Sequence, residues 1–465
     1  MLNSIFQNDT RGNRTPNVVD LSYLKMLAED DEAQQTHYRA LRDYYDGLHE
    51  VPLTTRQKEY LARDAEFEFA LNYLQLPVDL VAERLIVTGF DGPDGIGGRD
   101  GILAEWWEAN RMDALQAQVH RAALIDGDTY ILIEPPDNET PYPTFYHEPA
   151  YDGGEGVKVH YVSNVRREMT FASKRWSERR LNDKGEFETV LRLNIYRPDR
   201  IEKYIQTGRG WSPLQVDGQP WPLPWPAGVI PVVHFRWQDS GGNWGKSEIE
   251  NLIAVQWALN KAAIDLLEAA DTTATQKVFL LGGRLPADMV YSTGNILSIG
   301  ATTTGGPLPS VVALPGGDMS QLRALVDDNI IRIAQLSHIP LQYFQLTGAI
   351  ASADTQAADD SQLVAKVQSQ AVALGNAWED VMRIALRLNA EYGDGRDIAP
   401  TEKLVTQWKD FDRVDPLATE QRRADILDTL IRAGVSLPGA LARVGYPEDD
   451  IEMMLRGDVV DGVNQ

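Results

Sequence analysis

A chain of 465 residues is too long for one ordinary hydrophobic core, so two or more structural regions are expected. Hydrophobic residues at 43% and charged residues at 24% are enough for well-packed cores under a soluble surface. The formal net charge of −24 argues against a protein that wraps nucleic acid through clustered Lys and Arg, and the absence of cysteine excludes disulfides, thiolate zinc sites and cysteine nucleophiles.

The opening "MLNSIFQNDTRGNRTPN" has no basic region followed by an apolar core, so no secretory signal is expected. No apolar run reaches the length of a bilayer span, and synthesis and folding in a cytoplasm are expected. Short-period repeats and long low-complexity segments are absent. Residues 17–48 predict one or two helices. Residues 66–90, "EFEFALNYLQLPVDLVAERLIVTGF", place Leu71, Leu74, Val78, Val81 and Leu85 at helical spacing, with Pro77 starting or kinking a helix. "DGPDGIGGRDG" is a turn; Pro93 and Gly95 stand where a calcium loop would need oxygen ligands. Residues 102–128 return to helix, with Leu103, Trp106, Trp107, Met112, Leu115, Val119 and Leu124 as the apolar set.

From about Thr129 to Trp237 the pattern changes to short runs rich in β-branched and aromatic residues, among them "TYILIEP", "GVKVHYVS", "EMTFAS", "TVLRLNIYRP", "RIEKYIQT" and "VIPVVHFRW". They predict an antiparallel β region. From Ser247 a helix is expected, with Ile249, Leu252, Ile253, Leu259, Ala263 and Leu266 on one stripe. A β-like, loop-rich insert follows, then the helix "SQLRALVDDNIIRIAQLSHI", stopped by Pro340. The loop "PLQYFQLTGAIASADTQ" carries no Lys or Arg and reads on its own as a surface linker. Beyond it Val364, Val367, Ala371, Leu374, Trp378, Val381, Ala385 and Leu388 keep a spacing of three or four through one overlong helix of about 55 Å. "EKLVTQWKDF" predicts a strand, and the tail from Thr419 predicts small helices broken at Gly434, Pro438 and Gly445.

The triplet Gly245-Lys246-Ser247 ends like a phosphate-binding loop. Such a loop needs Gly, four residues, then Gly-Lys-Ser/Thr. Ser240 stands where the first Gly belongs, and Gly241 comes one place late. That glycine permits the turn that aims amide groups at phosphate. Ser247 and Glu250 instead match S-x-x-E, a helix capping box. His234 and His338 read as packed or capping side chains, no H-E-x-x-H or G-x-S-x-G pattern occurs, and no pair of carboxylates stands apart from the many others. Two helices bracketing an insert, followed by a loop and an overlong helix, suit a ring of subunits in which each long helix lies against its neighbour's.

The order of parts resembles the portal proteins of tailed double-stranded DNA bacteriophages with long non-contractile tails. "LNYLQLPVDLVAERLIVTGF" with "EWWEANRMDALQAQVHRAALIDGDTYILIEP" is similar to the N-terminal wing of portals from phages of actinobacteria. "GVIPVVHFRWQDSGGNWGKSEIENLIAVQWALNKAAIDLLEAAD" resembles the strand, loop and first stem helix. "RIAQLSHIPLQYFQL" and "SQLVAKVQSQAVALGNAWEDVMRIALRL" resemble the second stem helix, tunnel loop and long wing helix, and "ADILDTLIRAGVSLPGALARVGYPEDDIEMML" is similar to the crown. The resemblance runs from about Leu71 to Leu455.

It implies an α+β, mainly helical portal fold: wing (1–245, β-rich from about 129, with 354–414), stem (246–274 and 320–339), clip (275–319), tunnel loop (340–353) and crown (415–465). It implies a homo-oligomeric ring, usually of twelve, at one capsid vertex of the virion, assembled in the host cytoplasm. Double-stranded DNA passes through it without sequence specificity, and it meets terminase, a head–tail adaptor and the major capsid and scaffolding proteins. It implies no membrane, cofactor, metal or catalytic residue. On this map the tunnel loop turns Thr347, Gly348, Ala349, Ile350, Ala351, Ser352 and Ala353 to DNA. The stem lines the tunnel with Glu248, Lys261, Asp265, Glu268 and Asp271. The clip docks through Arg284, Leu285, Pro286, Tyr291, Thr293 and Asn295. The rival readings are a packaging ATPase with a degenerate phosphate loop, and another head–tail connector or minor capsid protein.

Overall fold

The computed structural model describes residues 32–51, 53–55, 57–58, 71–162, 168–181, 185–207, 210–216, 218–238, 242–273, 277–281, 296–299, 310–314, 319–344, 353–393, 403–411, 424, 426–444 and 451. The chain falls into two compact units, Met1–Ile350 with Asp360–Lys409, and Ala351–Asp359 with Asp410–Gln465.

In the first unit, helix α1 (Glu32–Asp46) precedes α2 (Gln75–Ala82). Pro77 lies in the first turn of α2, where its missing N–H breaks no intrahelical bond. Leu74, Val78, Val81 and Leu85 are all buried, as their spacing predicts. The helix stops before Val87. Residues Val87–Asp91, beyond the helical set that ends at Leu85, form strand β1. Helices α3 (Ile102–Ala109) and α4 (Met112–Asp126) read as one in the sequence, but the chain turns at Asn110 and Arg111, where Arg111 takes a left-handed φ of 53°.

Two antiparallel sheets fill the predicted β region. The first uses β2 (Asp128–Glu134), β3 (Thr144–Pro149) and, much later, β10 (Val232–Arg236), in the order β10-β2-β3. The central strand β2 is buried from Asp128 to Ile133, because α4 packs against it. The second sheet takes β4 (Gly156–Tyr161), β5 (Met169–Leu181), β6 (Phe187–Tyr196), β7 (Arg200–Thr207) and β8 (Gly210–Pro213) in sequence order, with β9 (Leu223–Pro224) also on β7. Phe171, Leu193, Ile195 and Tyr204 form its core, covered by Trp211 and Trp221. Strand β5 runs well past the "EMTFAS" that marks it in the sequence, into a polar stretch whose partner is β6.

A 3-10 turn (Glu250–Leu252) leads into helix α5 (Ile253–Thr273). The insert forms a small sheet of β11 (Lys277–Leu281), β12 (Ile296–Ile299) and β13 (Ser310–Leu314), with β12 parallel and β13 antiparallel to β11. Helix α6 (Ser320–Ser337) packs against α5 and ends at His338, a left-handed cap with φ 55°, so His338 caps a helix as expected. Helix α7 (Ala353–Tyr392) is 40 residues long, about 60 Å at the α-helical rise. Its stripe from Val364 to Leu388 is buried, as the spacing predicts. Strand β14 (Val405–Trp408) pairs antiparallel with β1. In the second unit, helix α8 (Leu437–Val444) buries Ala440 and Leu441. Pro438 lies in the first turn of α8 and starts the helix instead of breaking one, whereas the break at Gly434 is present with φ 86°. Among the described residues no helix is long and apolar enough to cross a membrane.

The first unit closes on Trp378 of α7. Its ring meets Trp107, His120 and Phe235 edge-on at 5.4, 5.8 and 4.9 Å between centroids. Its Nε1–H donates to His120 Nε2 at 2.9 Å. Indole nitrogen only donates, so His120 Nε2 must be bare and Nδ1–H must donate to the Leu85 carbonyl at 2.9 Å. A second proton on His120 would set two donors face to face. Burial also disfavours the charged ring and holds its pKa down to about 4 from 6.5. Unfolded His120 takes its proton near pH 6.5, while the folded form resists to about pH 4. Between those values the unfolded chain binds more protons, so acidification through that window drains stability. The full loss from this one ring is about 3 kcal/mol. Unfolding free energies of the wild type from urea titrations should fall from pH 7 to pH 4, and His120→Gln should lose about 3 kcal/mol less over the same interval.

Candidate functional site

The segment after β10 decides what the Gly-Lys-Ser triplet does. Gly127 caps α4 in a left-handed conformation, and its carbonyl accepts the Trp237 N–H at 2.8 Å. Gly245 crosses so close that a Cβ there would stand 2.0 Å from the Gly127 oxygen. Glycine at 245 is therefore a requirement of two backbones in contact. The Gly245 N–H, which a phosphate-binding loop would aim at its ligand, donates to Asp128 Oδ1 at 2.7 Å. A carboxylate already occupies the place a phosphate would take. Asp128 is buried and also accepts from Tyr38 Oη at 2.8 Å, and His234 Nε2 lies 2.8 Å from its Oδ1. The other ring nitrogen of His234 is 2.8 Å from Tyr161 Oη. His234 is thus a packed, bonded side chain, as expected.

The capping box expected at Ser247 and Glu250 does not form. Ser247 Oγ donates to the Ile125 carbonyl at 2.5 Å and accepts the Ile249 N–H at 3.2 Å. The last carbonyls of α4 have no intrahelical partner and capture the hydroxyl. Glu250 stays exposed, 4.0 Å from His37 Nε2. The expected helix from Lys246 accordingly begins only at Glu250, as the 3-10 turn.

Glu248 is likewise not on an exposed wall. It is 5% exposed and accepts from Trp237 Nε1 at 3.0 Å, from Gln238 Nε2 at 3.1 Å and from Lys366 of α7. It fastens the start of the helix pair to the long helix. Farther along α5, Lys261 pairs with Asp265, and both are half-buried. Gln57 Nε2 donates to Asp265 Oδ1 at 2.8 Å and to Glu268 Oε2 at 3.2 Å, so this stretch carries the Gln57 segment of its own chain. The side chain of Asp271 lies outside the described residues.

Gln256 and Asn260 were not picked out by the apolar pattern, yet both are fully buried. Gln256 accepts the Tyr73 N–H at 3.0 Å, and Asn260 accepts the Leu71 N–H at 2.9 Å. Two amides one turn apart on α5 thus satisfy an extended backbone segment that enters α2. Their i, i+4 spacing on an otherwise apolar face is the signal that could have found them. Large apolar side chains on the outer surface of the pair, Trp257 and Leu267 on α5 with Leu325 and Leu336 on α6, remain exposed.

Tyr343, shortly after α6, is tied to Asp360 within α7. Tyr343 Oη donates to Asp360 Oδ2 at 2.9 Å. Arg84, just past α2, donates from Nη2 to Tyr343 Oη at 3.1 Å and to Asp360 Oδ2 at 3.4 Å, and from Nη1 to the Leu80 carbonyl at 2.9 Å. Arg84 is buried, so this is a desolvated, charge-assisted clamp. Arg84 lies more than 250 residues before the other two members, and no local pattern marks the three. The loop residues Thr347, Gly348, Ala349, Ile350, Ala351 and Ser352 lie outside the described residues, and Ala353 is placed only as the first residue of α7. Arg284, Leu285, Pro286, Tyr291, Thr293 and Asn295 of the insert also lie outside them.

Residues 24–413 match the family described as "Phage portal protein, SPP1 Gp6-like". The chain belongs to this family. The portal protein of Mycobacterium phage L5 is 26% identical over 413 residues, covering 83% of this chain and 78% of that one. That of Mycobacterium phage D29 is 25% identical over 413 residues with the same coverage. Among solved structures, a chain in the neck of a native GTA particle computed with C12 symmetry is 15% identical. It matches at TM-score 0.41, over 86% of this chain and 96% of that one. A chain in the neck of an empty GTA particle computed with C6 symmetry gives TM-score 0.42 at the same identity and coverage. At those scores the likeness bears no weight here. As a member of the portal family, the chain is a component of a phage virion, with the mixed helix-and-sheet fold of a portal. The packaging-ATPase reading is not favoured: the family is that of the portal, and the triplet that suggested it is spent on Asp128.

Removing the Glu248 carboxylate would leave the Lys366 ammonium and the Trp237 N–H facing a gap. Glu248→Ala should cost about 3 kcal/mol, the usual range for one partner of a buried pair. Glu248→Gln, which keeps an acceptor for Trp237, should cost less. Urea unfolding of the two variants checks the order.

Proposed function

We propose that copies of this chain assemble into a ring, twelve in the family's usual form, at one vertex of the capsid. Double-stranded DNA enters through its axial hole during packaging and leaves through it at infection. The observation that carries this reading is the helix pair. α5 and α6 pack on each other, bracket a separate small sheet, and leave Trp257, Leu267, Leu325 and Leu336 exposed along their length. Large apolar side chains left on two adjacent helices call for a cover. A neighbour related by rotation supplies that cover at every position of a closed ring.

In this assignment the wing is 1–245 with 354–414, the stem 246–274 and 320–339, the clip 275–319, the tunnel loop 340–353 and the crown 415–465. The stem supplies an acidic wall through Asp265, Glu268 and Asp271 against Lys261, with Asp265 and Glu268 also holding Gln57 of the same chain. Glu248 is excluded from that wall by its burial. Such a wall releases few counterions from DNA and lets the duplex slide. The clip docks terminase during packaging and the head–tail adaptor afterwards. The wing meets capsid and scaffolding proteins during assembly in the host cytoplasm. The chain hydrolyses nothing itself.

Native mass spectrometry of the purified chain should return one integral multiple of the monomer mass, and negative-stain images should show a disc with a central hole. A monomer at every concentration would overturn the ring. Ala349→Lys with Ala351→Lys should sharply lower the yield of DNA-filled heads by adding cations that grip phosphate. An unchanged yield would refute contact between this loop and DNA.

A further inference from the structure

Two buried histidines of the first unit stand in opposite company. His120 faces a donor, Trp378 Nε1–H, and a second proton has no place there. His234 faces groups that accept. Its Nε2 lies 2.8 Å from Asp128 Oδ1, and a carboxylate only accepts, so Nε2 carries hydrogen. Its Nδ1 lies 2.8 Å from Tyr161 Oη, a hydroxyl that donates or accepts according to its rotation. Both ring nitrogens of His234 can therefore carry hydrogen and be bonded, which those of His120 cannot.

The charges around the ring favour the doubly protonated state. Both side chains of the Asp128–His234 pair are buried, and an imidazolium beside a buried carboxylate makes a neutral pair where a lone anion would be costly. The Tyr130 ring of β2 stacks on the imidazole at 4.6 Å between centroids and turns its π-face to the cation. From α1 comes the Tyr38 hydroxyl, which donates to Asp128 Oδ2, while Arg42 is matched by Asp126 and Asp152. Among the described residues Arg236 and Lys158 oppose the imidazolium. Arg236, two residues along β10, lies 5.9 Å from the Tyr161 ring centroid, and Lys158 of β4 lines the same small cavity as Tyr38, Tyr130 and Trp244. Neither pairs with Asp128, so the direct contact at 2.8 Å outweighs both.

We propose that His234 is the imidazolium of a buried ion pair, and that its deprotonation in mild alkali loosens the turn that leads into α5. The turn depends on the pair because the Gly245 N–H and His234 Nε2–H share Asp128 Oδ1. Just beyond it, Ser247 and Glu248 fix the start of the helix pair to α4 and α7. Once His234 is neutral, Asp128 is a buried charge without its counter-ion, and opening the turn to let water reach it becomes easier. In the open form an exposed histidine keeps its proton only up to about pH 6.5. In the closed form, paired with Asp128, it keeps the proton to higher pH. The pair therefore contributes in full below about pH 6.5, and each pH unit from there to the closed-form value makes opening about tenfold easier. His120 has the reverse sign, since it loses by gaining a proton. The latch acts within one chain, whether or not the ring forms.

The test is hydrogen–deuterium exchange of the full chain, read by mass spectrometry from about pH 6.5 to about pH 9 and corrected for the intrinsic pH dependence of amide exchange. Protection of the peptide covering 242–252 should fall about tenfold, while peptides from β6 and β7 keep theirs. Constant protection at 242–252 overturns the latch. An equal fall in β6 and β7 overturns it too, because that is a general loosening. His234→Gln keeps a donor for Asp128 and takes no proton, so its protection at 242–252 should stay level across the same pH range. A fall like that of the wild type would refute the assignment to His234. Tyr161→Phe removes the acceptor of Nδ1–H and should bring the fall to lower pH. A fall that stays in place or moves to higher pH means a bare Nδ1 and sinks the imidazolium.

Discussion

The first unit depends on one crossing: the end of α4 at Gly127 against the turn at Gly245, sealed by the buried carboxylate of Asp128. That carboxylate takes hydrogen bonds from the Gly245 amide and the Tyr38 hydroxyl and lies against His234. One side chain thus ties α1, β2, β10 and the turn before α5 together. A buried charge is tolerable only when its oxygens are fully engaged, and here they are. The same crossing delivers Ser247 to the open carbonyls of α4 and Glu248 to Lys366. Within the first unit the helix pair is therefore fixed to its neighbours by polar contacts in a desolvated place, where geometry is strict.

The long helix acts as the second constraint. Its buried stripe runs from Val364 to Leu388, and Trp378 at the middle bonds His120 and touches rings from α3, α4 and β10. Gly375 lets β14 approach, with Thr406 Oγ1 donating to the Gly375 carbonyl at 2.9 Å. Near the start of the stripe, Asp360 meets Arg84 and Tyr343. The helix is thus held at both places by buried contacts. That suits a protein whose work is to hold geometry while something else moves. An acidic chain serves such a role because it holds a phosphate backbone weakly.

Periodicity alone determined a good deal. The spacing of Val364 to Leu388 fixed the long helix, because an apolar stripe at three and four can only be buried as a helix. Pro340 and the insert marked the helix pair for a similar reason, and β-branched runs marked the sheets. The resemblance to portals lay in the order of these parts, and it held. The near miss to a phosphate-binding loop was legible as a miss, since Ser240 stands where a glycine must.

Only the tertiary structure decided the roles of individual polar side chains. Ser247 and Glu250 satisfy the local rule for a capping box, yet the unpaired carbonyls of α4, 122 residues away in sequence at Ile125, win the hydroxyl. Glu248 looks like one more acid on a helix face and is a buried anchor. Strand β1 has no mark of its own in the sequence because its partner β14 lies more than three hundred residues on. The turn at Arg111 follows no proline or glycine. Local pattern sets which residues want to be inside. Which of the polar groups follow them is set by whatever unpaired donor or acceptor the fold happens to bring within reach, and that is a property of the assembled chain.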